Sequence, residues 1–158
     1  MQDHLQFYID GQWVNPVSPR SLEVINPSNE QAIARISMGS AADVDKAVAA
    51  ARRAFESYSR TSREERLALL AKVLEVYQRR YGDFVQTISQ EMGAPLWLSK
   101  AAQAAMGVAH LGSTIEVLKS FAFEHVQGST AVVHEPVGVV GMITPWNWPI
   151  NQIMCKVA

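Results

Sequence analysis

The sequence predicts an α/β chain that opens with short strands, continues through helices and ends in a strand, a tight turn and a further helix. Three observations carry this prediction. Asp10-Gly11 separates two short strand-like runs, apolar residues recur at helical spacing from Val44 onward, and Val137-Gly-Val-Val-Gly-Met-Ile143 is almost uninterrupted apolar sequence.

Phe7-Tyr-Ile-Asp-Gly-Gln-Trp-Val14 reads as two strands around Asp10-Gly11, a dipeptide suited to the positive φ angles of a tight hairpin. Leu22-Glu-Val-Ile25 and Ala32-Ile-Ala-Arg-Ile36, on either side of an Asn26-Pro27-Ser28-Asn29 turn, form a second hairpin. The opening unit is therefore expected to be antiparallel. Ser40 with Asp43 marks a helix start, and Val44, Ala47, Val48, Ala51 and Phe55 give that helix one apolar face. Thr61 and Glu64 have capping-box spacing for a second helix, with Leu67, Leu70, Ala71, Leu74 and Tyr77 as its stripe and Gly82 placed to end it. Asp83 caps a third helix that runs to Met92-Gly93. After Pro95 a fourth helix reaches to about Ala122, and Ala102, Ala104, Ala105 and Gly107 predict that another backbone approaches it closely. It should be mostly buried.

From His125 the pattern changes. Val126 to Val133, with Gly128-Ser129 as a turn, reads as a hairpin or arm. Val137 to Ile143 has the composition of a parallel strand covered on both faces. Pro149 suits a first helical turn, and Ile150, Ile153, Met154 and Val157 supply the stripe of the helix that follows. A covered parallel strand needs neighbours for its N–H and C=O groups, and the sequence holds no second strand of that type. The chain is therefore expected to be the N-terminal part of a longer protein.

Composition narrows the function classes. Fourteen Lys and Arg against fifteen Asp and Glu leave a net charge of −1, so no overall field favours nucleic acid or an acidic membrane surface. One cysteine, Cys155, rules out an intrachain disulfide framework, and His4, His110, His125 and His134 show no metal-ligand spacing. The start has no signal-peptide pattern, and no apolar stretch is long enough to span a bilayer. A soluble, cytoplasmic protein with a small-molecule or protein partner is expected.

Thr144-Pro-Trp-Asn-Trp-Pro-Ile-Asn-Gln152 lies at the carboxyl end of the covered strand and the amino end of a helix, where α/β sheets gather ligands. Asn147 has two readings there. Its side chain either caps the helix, with the tryptophans as core, or its amide donates to an oxyanion formed by attack on a carbonyl.

Val137 to Gln152, VGVVGMITPWNWPINQ, closely resembles the signature of the aldehyde dehydrogenase superfamily; YIDGQWV, INPSNEQAIARI, EMGAP and HEPVGVVG resemble the same family in the same order. The resemblance implies the N-terminal part of that fold: small hairpins and four helices over 1–122, an oligomerisation arm over 123–136, and the first Rossmann-like strand, turn and helix over 137–158. It implies that Asn147 holds the oxyanion of a cysteine thiohemiacetal. Ile143, Thr144, Pro145 and Trp146 would line NAD or NADP, and Trp148, Asn151, Gln152 and Cys155 the substrate tunnel. Larger apolar groups occupy the last three positions in several members, so this tunnel is expected to be wider, more polar and tolerant of polar or hydroxylated tails. The family oxidises an aldehyde to a carboxylic acid through a cysteine nucleophile and a glutamate base. Neither matches a residue here, since Cys155 lies outside any nucleophile motif, and the chain alone is expected to be inactive. No metal site is implied. Glu91 matches a region where some members hold a monovalent cation near the Ile25 carbonyl, although a solvated carboxylate suffices there. Homo-oligomers through the arm are implied, and the rival expectation is a non-catalytic module acting in oligomerisation or protein binding.

Overall fold

Asp10 and Gly11 both adopt left-handed backbone, with φ of 55° and 75°, and this closes a two-stranded antiparallel ladder between β2 (Phe7–Ile9) and β3 (Gln12–Val14). The computed structural model describes residues 2–158. β4 (Ser21–Asn26) and β5 (Gln31–Ser37) form the second expected hairpin, and the Asn26 side chain takes the Ser28 N–H at 2.9 Å to hold its turn. The opening unit is nevertheless not purely antiparallel. β1 (Gln2–His4) pairs in parallel with β5, giving the order β1-β5-β4, and an Asp3–Arg35 ion pair at 2.7 Å braces it. Three polar residues carry no strand pattern, so sequence reasoning had nothing to find there.

α1 (Ala41–Tyr58) starts where Ser40 and Asp43 predict. Asp43 is buried and gathers three donors: the Ser40 hydroxyl at 2.7 Å, the Ser40 N–H at 2.9 Å and the distant Val17 N–H at 2.9 Å. These bonds, the Ser40 hydroxyl foremost, hold its carboxyl below the ordinary carboxylate range. A depressed carboxyl contributes stability above its unfolded value and loses it as pH falls through the folded one. Hydrogen-exchange protection at the Val17 amide should therefore be full at neutral pH and fall below about pH 4. Protection already lost above the ordinary carboxylate range, at about pH 5, would contradict the clamp. The predicted apolar face of α1 is largely uncovered, with Val44 58% and Val48 37% exposed, because few elements of this chain reach it.

α2 (Arg63–Arg79) begins one residue later than expected: Ser62, not Thr61, is the cap. Its hydroxyl accepts from the Glu65 N–H at 3.1 Å, and Glu65 accepts the Ser62 N–H at 2.7 Å. Thr61 instead donates to the Tyr58 carbonyl. Gly82 does not end α2, which stops at Arg79; it lies in the first turn of α3 (Tyr81–Met92), and so does Asp83, which therefore does not cap that helix as expected: the cap is Arg80, whose guanidinium donates to the Asp83 carboxylate. Gly93 does end α3, at φ 77°, and a Cβ there would meet Pro27 Cγ at 2.7 Å. Only glycine lets the helix end lie against the β4–β5 turn.

The fourth expected helix is broken into α4 (Leu96–Leu98), a π-helical turn over Ser99–Gln103, and α5 (Ala105–Ser120). Ala104, Gly107 and Leu111 are buried, but the stretch is not mostly buried as expected: Leu96, Trp97 and Val117 are exposed, because only one side of it meets α2, α3 and the helix that ends the chain. A Cβ on Gly107 would lie 2.3 Å from Tyr77 Cζ, so the glycine admits that ring between α2 and α5. Tyr77 stacks on Phe84 and donates to the Ala104 carbonyl at 2.7 Å. Burial pushes its hydroxyl pKa upward, which keeps it a donor. Around it, Val85, Ile88, Ala94, Ala104, Leu111 and Ile150 complete the core; Ala71, expected in the stripe, is exposed.

β6 (Glu124–Gln127) and β7 (Thr130–Val133) form the arm hairpin around Gly128 at φ 64°. The strand expected over Val137–Ile143 makes no ladder. Among the described residues no strand lies beside it, and a strand exists only through its partner's hydrogen bonds. α6 (Pro149–Val157) follows and lies against α5. The chain exposes 10970 Å², against about 7,900 Å² for a compact monomer of its 17.4 kDa mass. The excess matches apolar faces, on α1 and over 137–143, left without cover. Among the described residues no helix is long and apolar enough to cross a membrane.

Candidate functional site

Pro145 and Pro149 bracket a turn whose backbone is largely free. Residues 137–147 make no backbone–backbone hydrogen bond among the described residues, and Ile143 and Trp146 are 92% and 80% exposed. The helix cap is Trp148, not Asn147, and no side-chain bond closes it. Of the two sequence readings of Asn147, capping is therefore not the one observed. The Asn147 side-chain amide has no hydrogen bond among the described residues; only its carbonyl is held, by Gln103 Nε2 at 3.4 Å.

Gln103 was not anticipated as part of this site. It ends the π-helical turn, is 3% exposed, and its Oε1 has no partner among the described residues. A π-turn rotates the side chains that follow it, and such turns often occur at functional sites. Here it carries a buried amide to the asparagine turn. The only sequence signal was one polar residue inside a run of alanines.

α6 has two faces. Ile150 and Met154 pack toward the core, while Trp148, Asn151, Gln152 and Cys155, at offsets of three, four and seven, share another side. The expected tunnel residues therefore lie together, with Asn147 at their N-terminal end. Asn151 Oδ1 lies 2.8 Å from His110 Nε2 on α5. Lys156 Nζ donates to Gln152 Oε1 at 3.1 Å and to its carbonyl at 3.0 Å. Cys155 is exposed, with Sγ 3.5 Å from the Gln152 carbonyl. His110, a histidine without metal-ligand spacing in the sequence, is half-buried and tied to Asn151.

A nicotinamide nucleotide fits these residues. The segment 143–146 offers unpaired N–H groups beside a helix N-terminus, and exposed apolar side chains on which a flat ring can lie. Glu91 is exposed at the end of α3 and joins no ion pair among the described residues.

The hairpins, helices, arm and asparagine turn define a class: a mixed α/β chain of short hairpins and packed helices that ends in a turn and a further helix. Residues 13–158 match the family model described as the aldehyde dehydrogenase family, and the chain belongs to that family. It is 48% identical, over its full length, to the 3-succinoylsemialdehyde-pyridine dehydrogenase of a Pseudomonas species, and covers 33% of that protein. It is similar to the crystal structure of aldehyde dehydrogenase from Bartonella henselae, with a TM-score of 0.96 and 45% identity over 99% of this chain and 34% of that one. A mutant of aldehyde dehydrogenase C from Pseudomonas syringae, in complex with NAD+ and octanal, gives 0.93 and 45% over 96% of this chain and 31% of that one. The chain thus spans about a third of the length of the relatives it matches. The α/β fold class expected from sequence, that of the N-terminal part of this family, is the one found.

Proposed function

We propose that these residues form part of an enzyme that oxidises an aldehyde to a carboxylic acid with NAD or NADP, and that Asn147 supplies an oxyanion donor. The observation that carries this is the free Asn147 amide in a turn fixed by two prolines and by the Gln103 bond to its carbonyl. A donor held in place before reaction costs no reorganisation when charge develops, which is why such groups accelerate acyl chemistry. Ile143, Thr144, Pro145 and Trp146 bind the nucleotide, which accepts the hydride when bound. Trp148, Asn151, Gln152 and Cys155 form a wall of the aldehyde tunnel. The cysteine nucleophile and glutamate base belong to parts of the enzyme beyond these residues.

The hairpin in the 123–136 segment pairs subunits edge to edge in this reading, since β6 and β7 form a separate two-stranded sheet with exposed sides. Residues 1–122 serve as the first part of the cofactor domain and 137–158 as the start of its nucleotide-binding sheet. The test is aldehyde oxidation by the full-length enzyme carrying these residues, with NAD+ and NADP+ supplied in turn and the acid product quantified. Acid formed in step with reduced nucleotide supports the reading. A stable oligomer that binds neither nucleotide would favour a non-catalytic module instead.

A further inference from the structure

The two amides on the tunnel face of α6 are both engaged through oxygen. Asn151 Oδ1 faces His110 Nε2 at 2.8 Å, so the ring nitrogen carries the proton and donates. Gln152 Oε1 faces Lys156 Nζ at 3.1 Å, and an ammonium can only donate. The consequence falls on the other end of each amide. Asn151 Nδ2 and Gln152 Nε2 have no hydrogen-bond partner among the described residues, and neither is a buried orphan. Four N–H bonds are left to donate on the face that also carries Trp148, whose indole N–H is itself donor-only.

We infer that this face selects aldehydes whose tail carries a hydrogen-bond acceptor, a keto or carboxylate oxygen, over alkyl aldehydes of similar length. This rests on the tunnel reading above and sharpens it, because a wall of donors rewards acceptors in particular and not polarity in general. His110 is the positioning residue: it fixes which end of Asn151 faces the substrate without touching the substrate itself. A site built to hydrogen-bond a substrate oxygen discriminates against the analogue lacking it, because its polar groups are then left unpaired.

The probes are 4-oxopentanal, 4-oxobutanoate and pentanal, oxidised by the full-length enzyme; the first two separate a neutral acceptor from a charged one. The kcat/KM ratio of 4-oxopentanal to pentanal should exceed one by about tenfold, the scale of one well-made hydrogen bond. Asn151→Asp keeps the size and the His110 contact but removes two of the four N–H donors, and the ratio should fall toward one. For 4-oxobutanoate the fall should be larger, from repulsion between carboxylates. His110→Phe should lower the ratio mainly through KM, and His110→Gln, which restores an N–H donor, should recover it. A purely structural role for His110 would move all three substrates equally and leave the ratio alone. A wild-type ratio of one or below, or an unchanged ratio in Asn151→Asp, overturns the proposal while leaving aldehyde oxidation intact. Failure to oxidise any of the three overturns the enzymatic reading itself, and this inference falls with it.

Discussion

Asn147→Ala, in the full-length enzyme, should lower kcat by about 10² to 10³, the usual cost of removing one oxyanion donor. kcat/KM should fall by a similar factor, because the bond is made to charge that exists only in the transition state. The effect is large because the structure gives this side chain no other work: the helix cap is Trp148, and the Asn147 amide makes no hydrogen bond among the described residues. Steady-state kinetics with a saturating aldehyde and nucleotide check it. A variant whose KM rises while kcat is unchanged would reassign Asn147 to substrate binding.

Leu111→Ala should produce the largest loss of stability, about 2–5 kcal/mol for deleting a buried leucine side chain. Leu111 is fully buried on α5, in the cluster that joins Tyr77 of α2, Val85 and Ile88 of α3 and Ile150 of α6. The same residues set the height of α6 against α5, so the cavity also loosens the seat of the asparagine turn. The loss reads as a lower urea midpoint at unchanged m in the full-length protein. Leu111→Met, which conserves volume, should cost under about 1.5 kcal/mol. Equal midpoints for the two variants would mean that the site collapses around the smaller side chain.

Much of this was legible in local chemistry. Asp10-Gly11, Ser40 with Asp43, Gly93 and Pro149 each name a backbone conformation, and the backbone adopts all four. Ser62 was missed by one position because Thr61 and Glu64 offer the same spacing as Ser62 and Glu65. β1 and the Val137–Ile143 segment lay beyond reach for a different reason: a strand depends on what lies beside it, and sequence pattern reports only what it buries. The π-helical turn left no signal in propensity, so neither the burial of Gln103 nor its reach to the Asn147 carbonyl followed from the alanine-rich run. For the site itself, helical spacing was enough to gather Trp148, Asn151, Gln152 and Cys155 on one side. Their hydrogen-bond polarity was not: that of Asn151 depends on His110, forty-one residues away on α5, and that of Gln152 on the rotamer by which Lys156 reaches back to it.

The central claim is that the Asn147 amide stabilises charge while the carbonyl is attacked, before any later hydrolysis. Rapid mixing of enzyme, nucleotide and saturating aldehyde isolates that stage, as the first turnover of reduced nucleotide. The account predicts a first-turnover rate about 10² to 10³ slower in Asn147→Ala than in the wild type. A wild-type first-turnover rate in the variant, with only the following steady state slowed, would contradict it.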